Sequence, residues 1–464
     1  MKKSRCIYIV ALASLFAFSC NKMIEIPDHP INQIPQSRVF NDSADIISAV
    51  AGVYSNFKAN QTGGTIGSTM VTIIGGMSAD ELLANSSSNA GFISNNIPVN
   101  DGNVGNLWSG GYSNLYQMNS CINGIGSTTA ISDSLKHALV GEMKVARAFY
   151  YFQLVNMFGG VPLITSTDYN ITSKQGRASV DEVYGLIRAD LAEARSVLKA
   201  KYPSSAGTKY RPNLYTALAL SAKVFLYRQQ WDSAAMMANQ VINDGLYQLE
   251  STPATVFSKS SKEVIWTLPG NGTFVSTGEG YTLLPFSIYS TPSYYLNPLL
   301  LSAFEDGDLR KTAWIRTLIV SGKTYSCAQK YKSNQGTSTA TPTYPAEDYV
   351  MFRLADMYLV LAEADAQLGN TTDARTNIDI VRARAGLPAY TGTDADLLTG
   401  IYHERQIEMA FEWGNRWYDL KRTGTIDAVL GAEKPTWTST AALLPIPSTQ
   451  LVANVALTQN EGYN

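Results

Sequence analysis

The sequence predicts a mainly α-helical protein, in which tetratricopeptide-like helical hairpins form a scaffold that carries long irregular loops and a few short strands. Three observations carry that reading. Amphipathic stretches recur at 43 to 57, 107 to 124, 135 to 158, 180 to 199, 213 to 229, 231 to 244, 349 to 369, 372 to 385 and 395 to 413. Two of the helix pairs repeat the same small residues at the same spacing. Between the helices, 58 to 106, 250 to 300 and 315 to 348 are rich in Gly, Ser, Thr, Asn and Pro yet keep their aromatic residues.

The chain begins with Lys2, Lys3 and Arg5 ahead of an apolar run from Ile7 to Phe18, the layout of a secretory signal peptide over residues 1–19. A membrane-crossing helix needs about twenty apolar residues, and no other segment reaches that length without charges. Small residues Ala17 and Ser19 precede Cys20, which stands where a bacterial lipoprotein carries its acylated cysteine. An ordinary cleaved signal with an incidental cysteine is the alternative. Two or more acyl chains hold a protein stably on a bilayer, so a lipidated Cys20 is a durable anchor. Pro27, Pro30 and Pro35 then mark residues 20–41 as an extended tether, and the body is expected over 42–464.

Each helix has its own warrant. In 135 to 158, Leu139, Met143, Ala146, Tyr150, Leu154 and Met157 step by three and four and form one apolar stripe. Trp108, Tyr112 and Tyr116 share helical spacing and are read as core. Ala222 and Ala234 are twelve apart, as are Ala362 and Ala374, and each second helix carries a valine seven residues on, Val241 and Val381. Small residues there let two antiparallel helices approach across a short turn, the packing logic of tetratricopeptide-type repeats. Separate hairpins packed together suit this pattern better than a continuous solenoid. "KEVIWTL" around Trp266 alternates as a short strand does.

Composition narrows the partners. Lys and Arg total 36 against 38 Asp and Glu, so there is no basic field for nucleic acid. The three histidines, His29, His137 and His403, lack Cys or Asp at ligand spacing, and neither a phosphate loop nor a nucleophile elbow is present, so no cofactor or metal is expected. "EDGDLRK" lacks the full ligand set of a calcium loop and reads as a solvated turn with Arg310 pairing locally. Glu404, Glu408 and Glu412 stand four apart on one helical face. Neighbours at that spacing lie about 5–6 Å apart at Cβ, beside one another rather than across a substrate. They read as structural ion pairs, Arg416 with Glu412 and Arg405, Arg382 and Arg384 with the others. Cys121 and Cys327 are either one disulfide or two small buried hydrophobes.

The loops hold the remaining chemistry. A pyranose offers a C–H face to an aromatic ring, and its hydroxyls need directional donors and acceptors. The first loop supplies Asn89, Phe92, Asn95, Asn96 and Asp101, and the second Tyr281, Tyr289, Tyr294 and Tyr295. The third supplies Tyr325, Gln329, Tyr331, Asn334 and Tyr344, preceded by Trp314. For each, the alternative is an aromatic or amide that staples its own loop.

Several segments in order resemble the SusD/RagB family of outer-membrane nutrient-binding lipoproteins of Bacteroidetes. They are "GEMKVARAFYYFQLVNMFGGVPLI" at 141 to 164, "RASVDEVYGLIRADLAEA" at 177 to 194, "RLADMYLVLAEADAQLGN" at 353 to 370, "ERQIEMAFEWGNRWYDLKRTG" at 404 to 424 and "LLPIPSTQLVANVALTQNEGY" at 443 to 463. The resemblance implies four tetratricopeptide-like hairpins, lipid attachment at Cys20, and a position over a SusC-like TonB-dependent transporter. The expected function is non-catalytic capture of oligosaccharide at the cell surface and delivery to that barrel. Oligopeptide binding of the RagB kind, a glycoside hydrolase and a purely structural adaptor are the alternatives.

Overall fold

The computed structural model describes residues 36–59, 64–202, 207–270, 277–333 and 347–463; the signal segment and Cys20 lie outside them. The mainly α architecture is as expected. Helix α1 (Ser43–Ala59) packs on the long α4 (Gly102–Ser127), after the short α2 (Met70–Ser78), strand β1 (Leu82–Ala84) and α3 (Ala90–Ser94). The body starts a little earlier than expected. Gln36–Val39 already form a helical turn, and Phe40 is buried with its ring where a Cβ on Gly124 would sit.

Helix α5 (Asp133–Phe158) runs through the middle of the molecule between α4 and α6 (Val180–Val197). Its apolar stripe is core, as expected, with Met143, Ala146, Tyr150 and Leu154 fully buried. Helix ends are fixed locally: Asp101 accepts from the amides of Asn103 and Val104, and Ser179 with Glu182 forms a capping box. Next come α7 (Leu214–Tyr227) and α8 (Trp231–Ile242), then β2 (Val264–Leu268), α9 (Gly278–Leu283) and β3 (Tyr294–Leu296). After α10 (Leu309–Trp314) the chain forms β4 (Ile315–Val320), β5 (Lys323–Ala328) and β6 (Tyr349–Arg353). It continues with α11 (Leu354–Gln367), α12 (Thr371–Arg384), α13 (Leu397–Glu408) and α14 (Asn415–Arg422), and two short helices, Ile426–Glu433 and Ser448–Ala453, follow.

Helices α7 and α8 form one hairpin and α11 and α12 another, and α8 packs on α11 so that the two stack although distant in sequence. Ala222, Ala234, Val241, Ala362, Ala374 and Val381 are all fully buried, as the spacing requires.

Several expectations need correction. The stretch at 349 opens as strand β6, paired antiparallel with β2, and becomes helical only at Leu354. The third loop is not irregular throughout, since β4 and β5 form a hairpin across Ser321 and Gly322, both at positive φ. Tyr116 is about half exposed, while Trp108 is buried. The reading of Cys121 and Cys327 as two small buried hydrophobes, by contrast, holds: both are unpaired buried thiols, which burial pushes up to about 11 and about 12.

One close approach ties the loop end to the helical body. A Cβ on Gly75, in α2, would lie 2.6 Å from the Cα of Gly414, and Gly414 has φ of +67°. Backbone cannot rotate away as a side chain can. Gly75→Ala is expected to cost about 1–3 kcal/mol, read as a lower urea midpoint with unchanged slope.

Candidate functional site

The three loops converge. Strand β1 of the first pairs with β3 of the second, Leu82 opposite Leu296 and Ala84 opposite Tyr294. Asn85 reinforces the join, its amide donating to Ser293 O and its Nδ2 to Pro292 O. The third loop joins through Tyr325, whose ring meets Tyr295 edge to face at 5.4 Å, with the Lys323 ammonium over both rings.

Burial sorts the candidate residues. Phe92 is fully buried. Trp314 is buried too, its indole donating to Pro253 O and its ring lying 4.2 Å beneath the Lys330 ammonium. Tyr331 is buried between Phe257 and Tyr349, and its hydroxyl accepts from the Val350 amide. Asn95, at φ 54°, donates to Ser78 O and accepts from Lys434. Asn89 is buried and hydrogen-bonds Tyr294, which is half-buried. Tyr325 is buried and Tyr295 half-buried, each partly covered by the other. These residues staple the loops, which takes Asn89, Phe92, Asn95, Trp314, Tyr325 and Tyr331 out of direct reach of a ligand. Asp101 is spent as the α4 cap, and Asn334 and Tyr344 lie outside the described residues.

What stays open is a short strip. Tyr281 on α9 is about half exposed, Tyr289 is 83% exposed, and Phe286 is 89% exposed, with Ile288 between them about half exposed. Asn96, on the first loop, is exposed as well. Phe286 was not among the sequence candidates, although a phenylalanine set among Pro285, Ser287 and Tyr289 was its signal. Large apolar side chains grouped in the open mark interaction surfaces. The Ser287 and Ser290 hydroxyls, 2.9 Å apart, pin the turn that displays them.

The strip rests on a buried carboxyl. Glu279, beside Tyr281 on α9, accepts from the hydroxyls of Thr72 on α2 and Tyr349 on β6. Burial, with a smaller push from Glu412, raises it from 4.5 to about 8, against those bonds and Lys330. It is therefore protonated in the native state at neutral pH. The stability this contributes is complete below about 4.5 and is lost as pH rises through about 8. Glu279→Gln keeps the accepting oxygen and removes the titration. Its urea midpoint is expected to gain on wild type between pH 6 and pH 9, and a constant difference across that range would contradict the assignment.

The three glutamates are held in a dense ionic core. Glu408 meets Arg310 at 3.0 Å and also pairs with Arg353 and Arg384. Glu404 pairs with Arg310 and Arg382, and Glu412 with Arg353 and Lys330. Glu263, just before β2, joins Arg353 and Arg384. Burial works against the charge of Glu408, but Arg384, Arg353 and Arg310 outweigh it and hold the carboxyl well below its usual range. Ion pairs were expected here, with two partners assigned differently. Arg416 pairs with Asp80 at 2.6 Å, and Arg405 with Asp356 and Asp419. Asp308 with Arg310 is a local pair, yet it is buried rather than solvated. Among the described residues no group of three or more His, Cys, Asp or Glu is placed to hold a metal, and no helix is long and apolar enough to cross a membrane.

Stacked helical hairpins that hold converged loops and exposed loop aromatics define a class, the helical scaffold that presents loops. A model of the SusD family matches residues 317–463, and a second, described as starch-binding and associating with the outer membrane, matches 30–226. Two SusD-like proteins of Formosa agariphila are 24% and 26% identical to the chain, the first over 99% of it and 98% of the relative, the second over the whole of both. Among solved structures, a laminarin-binding SusD-like protein is 26% identical with a TM-score of 0.77, covering 91% of this chain and 100% of its own. A SusD-like protein of Bacteroides fragilis, 21% identical with a TM-score of 0.78, covers 92% of this chain and 98% of its own. The chain belongs to the SusD family.

Proposed function

We propose that this protein is a non-catalytic glycan-binding lipoprotein, anchored through Cys20 in the outer membrane, that captures oligosaccharide at the cell surface and delivers it to a TonB-dependent transporter. The observation that carries the reading is the pair of exposed rings Phe286 and Tyr289, displayed on the turn that Ser287 and Ser290 pin ahead of the β1–β3 pair, with Tyr281 about half exposed on the preceding helix. Flat rings suit the C–H face of a pyranose, and the Ser287 and Ser290 hydroxyls on the same turn supply hydrogen-bond partners. The family model described as starch-binding supports the substrate class, and so do the laminarin-binding relative and a starch-binding SusD of Bacteroides thetaiotaomicron, 33% identical over 149 residues covering 29% of this chain and 25% of that protein. Its description as associating with the outer membrane supports the location.

Each aromatic contact contributes about 0.5–1.5 kcal/mol beyond burial, so an open strip gives millimolar to micromolar affinity. Weak capture suits a protein that must release its ligand. Catalysis needs a placed acid and base, and Glu404, Glu408 and Glu412 are instead committed to arginines and a lysine. Calorimetry against a panel of oligosaccharides tests the reading. Heat with at least one glycan and no release of reducing sugar is expected; binding of short peptides alone would move the protein to the RagB-like alternative, and sugar release would make it a hydrolase.

A further inference from the structure

The loops that converge around the aromatic strip carry almost no charge, and what they carry has one sign. Segments 82–100, 280–304 and 315–329 contain two charged residues, Arg316 and Lys323, and no Asp or Glu. The acids that flank these segments are committed elsewhere. Asp80 pairs with Arg416, Asp101 caps α4, and Glu305 pairs with Arg382. Glu81 and Glu279 are buried, and burial raises both to about 8, so neither is charged at neutral pH. The chain as a whole has a formal net charge of -2, so this face stands against the overall sign.

Both cations lie on one face of the β4–β5 hairpin. Lys323, Tyr325 and Cys327 alternate onto one side of β5, and Arg316 stands opposite Cys327 on β4, so the two cations bracket Tyr325. Lys323 is exposed and makes no hydrogen bond or ion pair among the described residues. Its ammonium is held instead over the rings of Tyr295 and Tyr325, 5.3 and 4.7 Å from their centres. Two rings fix the position of a cation without neutralising it, and its N–H donors stay available. A lysine already held in place also loses less side-chain freedom when it meets an anion. Arg316 is half-buried and likewise pairs with no carboxylate among the described residues. Tyr295 belongs to β3, against which α9 with Tyr281 packs, so the held ammonium and the strip share one strand.

We infer that the converged-loop face selects acidic glycans, with Lys323 as the residue that meets the carboxylate or sulfate of the bound sugar. The inference rests on the glycan-binding reading and adds the charge of the substrate to it. Calorimetric titration of the full chain with two matched pairs tests it: a galacturonate oligosaccharide with its carboxyl-reduced form, and a sulfated galactan oligosaccharide with its desulfated form. The two pairs also separate carboxylate from sulfate. In at least one pair the acidic member is expected to bind about fivefold more tightly than the neutral one, and added salt should erode the difference. Lys323→Met keeps the stem on the rings and should bring that acid to the level of its neutral counterpart. Lys136→Met, at a surface pair with Asp133 on α5, should leave the preference in place. No binding of either acid, an acid that binds no better than its neutral counterpart, or a preference kept by a folded Lys323→Met would each overturn the assignment. Binding of neutral glycans alone would overturn this inference and leave the glycan-binding reading standing, whereas no binding across the wider oligosaccharide panel would remove both.

Discussion

Glu408→Ala is expected to lower the free energy of unfolding by about 3–5 kcal/mol, the cost of leaving buried charges without their partner. Glu408 is fully buried and touches three arginines, Arg310 from α10, Arg353 from the end of β6 and Arg384 from α12. Its removal leaves Arg384 with Glu263 alone, while Arg310 retains Asp308 and Glu404. The effect should therefore exceed that of Asp394→Ala, whose pair with Arg375 lies at the surface, where solvent screens it. Chemical denaturation of both variants checks the ranking. Because the arginines hold Glu408 well below its usual range, its contribution is present above the unfolded carboxylate value and is lost only as pH falls through the low native one. At neutral pH the full penalty should be seen.

The second large effect concerns binding. Phe286→Ala with Tyr289→Ala should weaken oligosaccharide binding by about one to two orders of magnitude, from about 0.5–1.5 kcal/mol for each ring plus its lost burial. Neither side chain is packed, at 89% and 83% exposed, so the urea midpoint should hardly move. That separation of affinity from stability distinguishes a ligand platform from a structural staple. Trp314→Ala should behave in the opposite way, since its buried indole lies under Lys330 and beside Arg353 and Arg384.

The helical body was legible because period and burial agree in it. The stripe of α5 and the alanines of the two hairpins are local patterns, and packing obeys them. Strand β6 is hidden in the sequence because Tyr349–Arg353 are buried throughout, so no alternation marks them and the run merges with the helix that follows. The β4–β5 hairpin does leave a mark, the turn signal Ser321-Gly322 between two β-prone runs. Long-range partners leave none. Arg416 meets Asp80 across 336 positions, where four-residue spacing pointed to Glu412. The loop aromatics show the same limit, because whether a ring is a staple or a platform is set by which loops pair. Composition is silent on that: in the sequence Trp314, Tyr331, Phe286 and Tyr289 are all loop aromatics, and only burial in the fold separates them.

Affinity electrophoresis of wild type and of the Phe286→Ala, Tyr289→Ala double variant through gels holding a panel of soluble polysaccharides tests the central claim most directly. Retardation of wild type by at least one polysaccharide, lost in the double variant with the polymer left intact, is the predicted result. A wild type retarded by none of them, or a double variant retarded as strongly as wild type, would contradict the account.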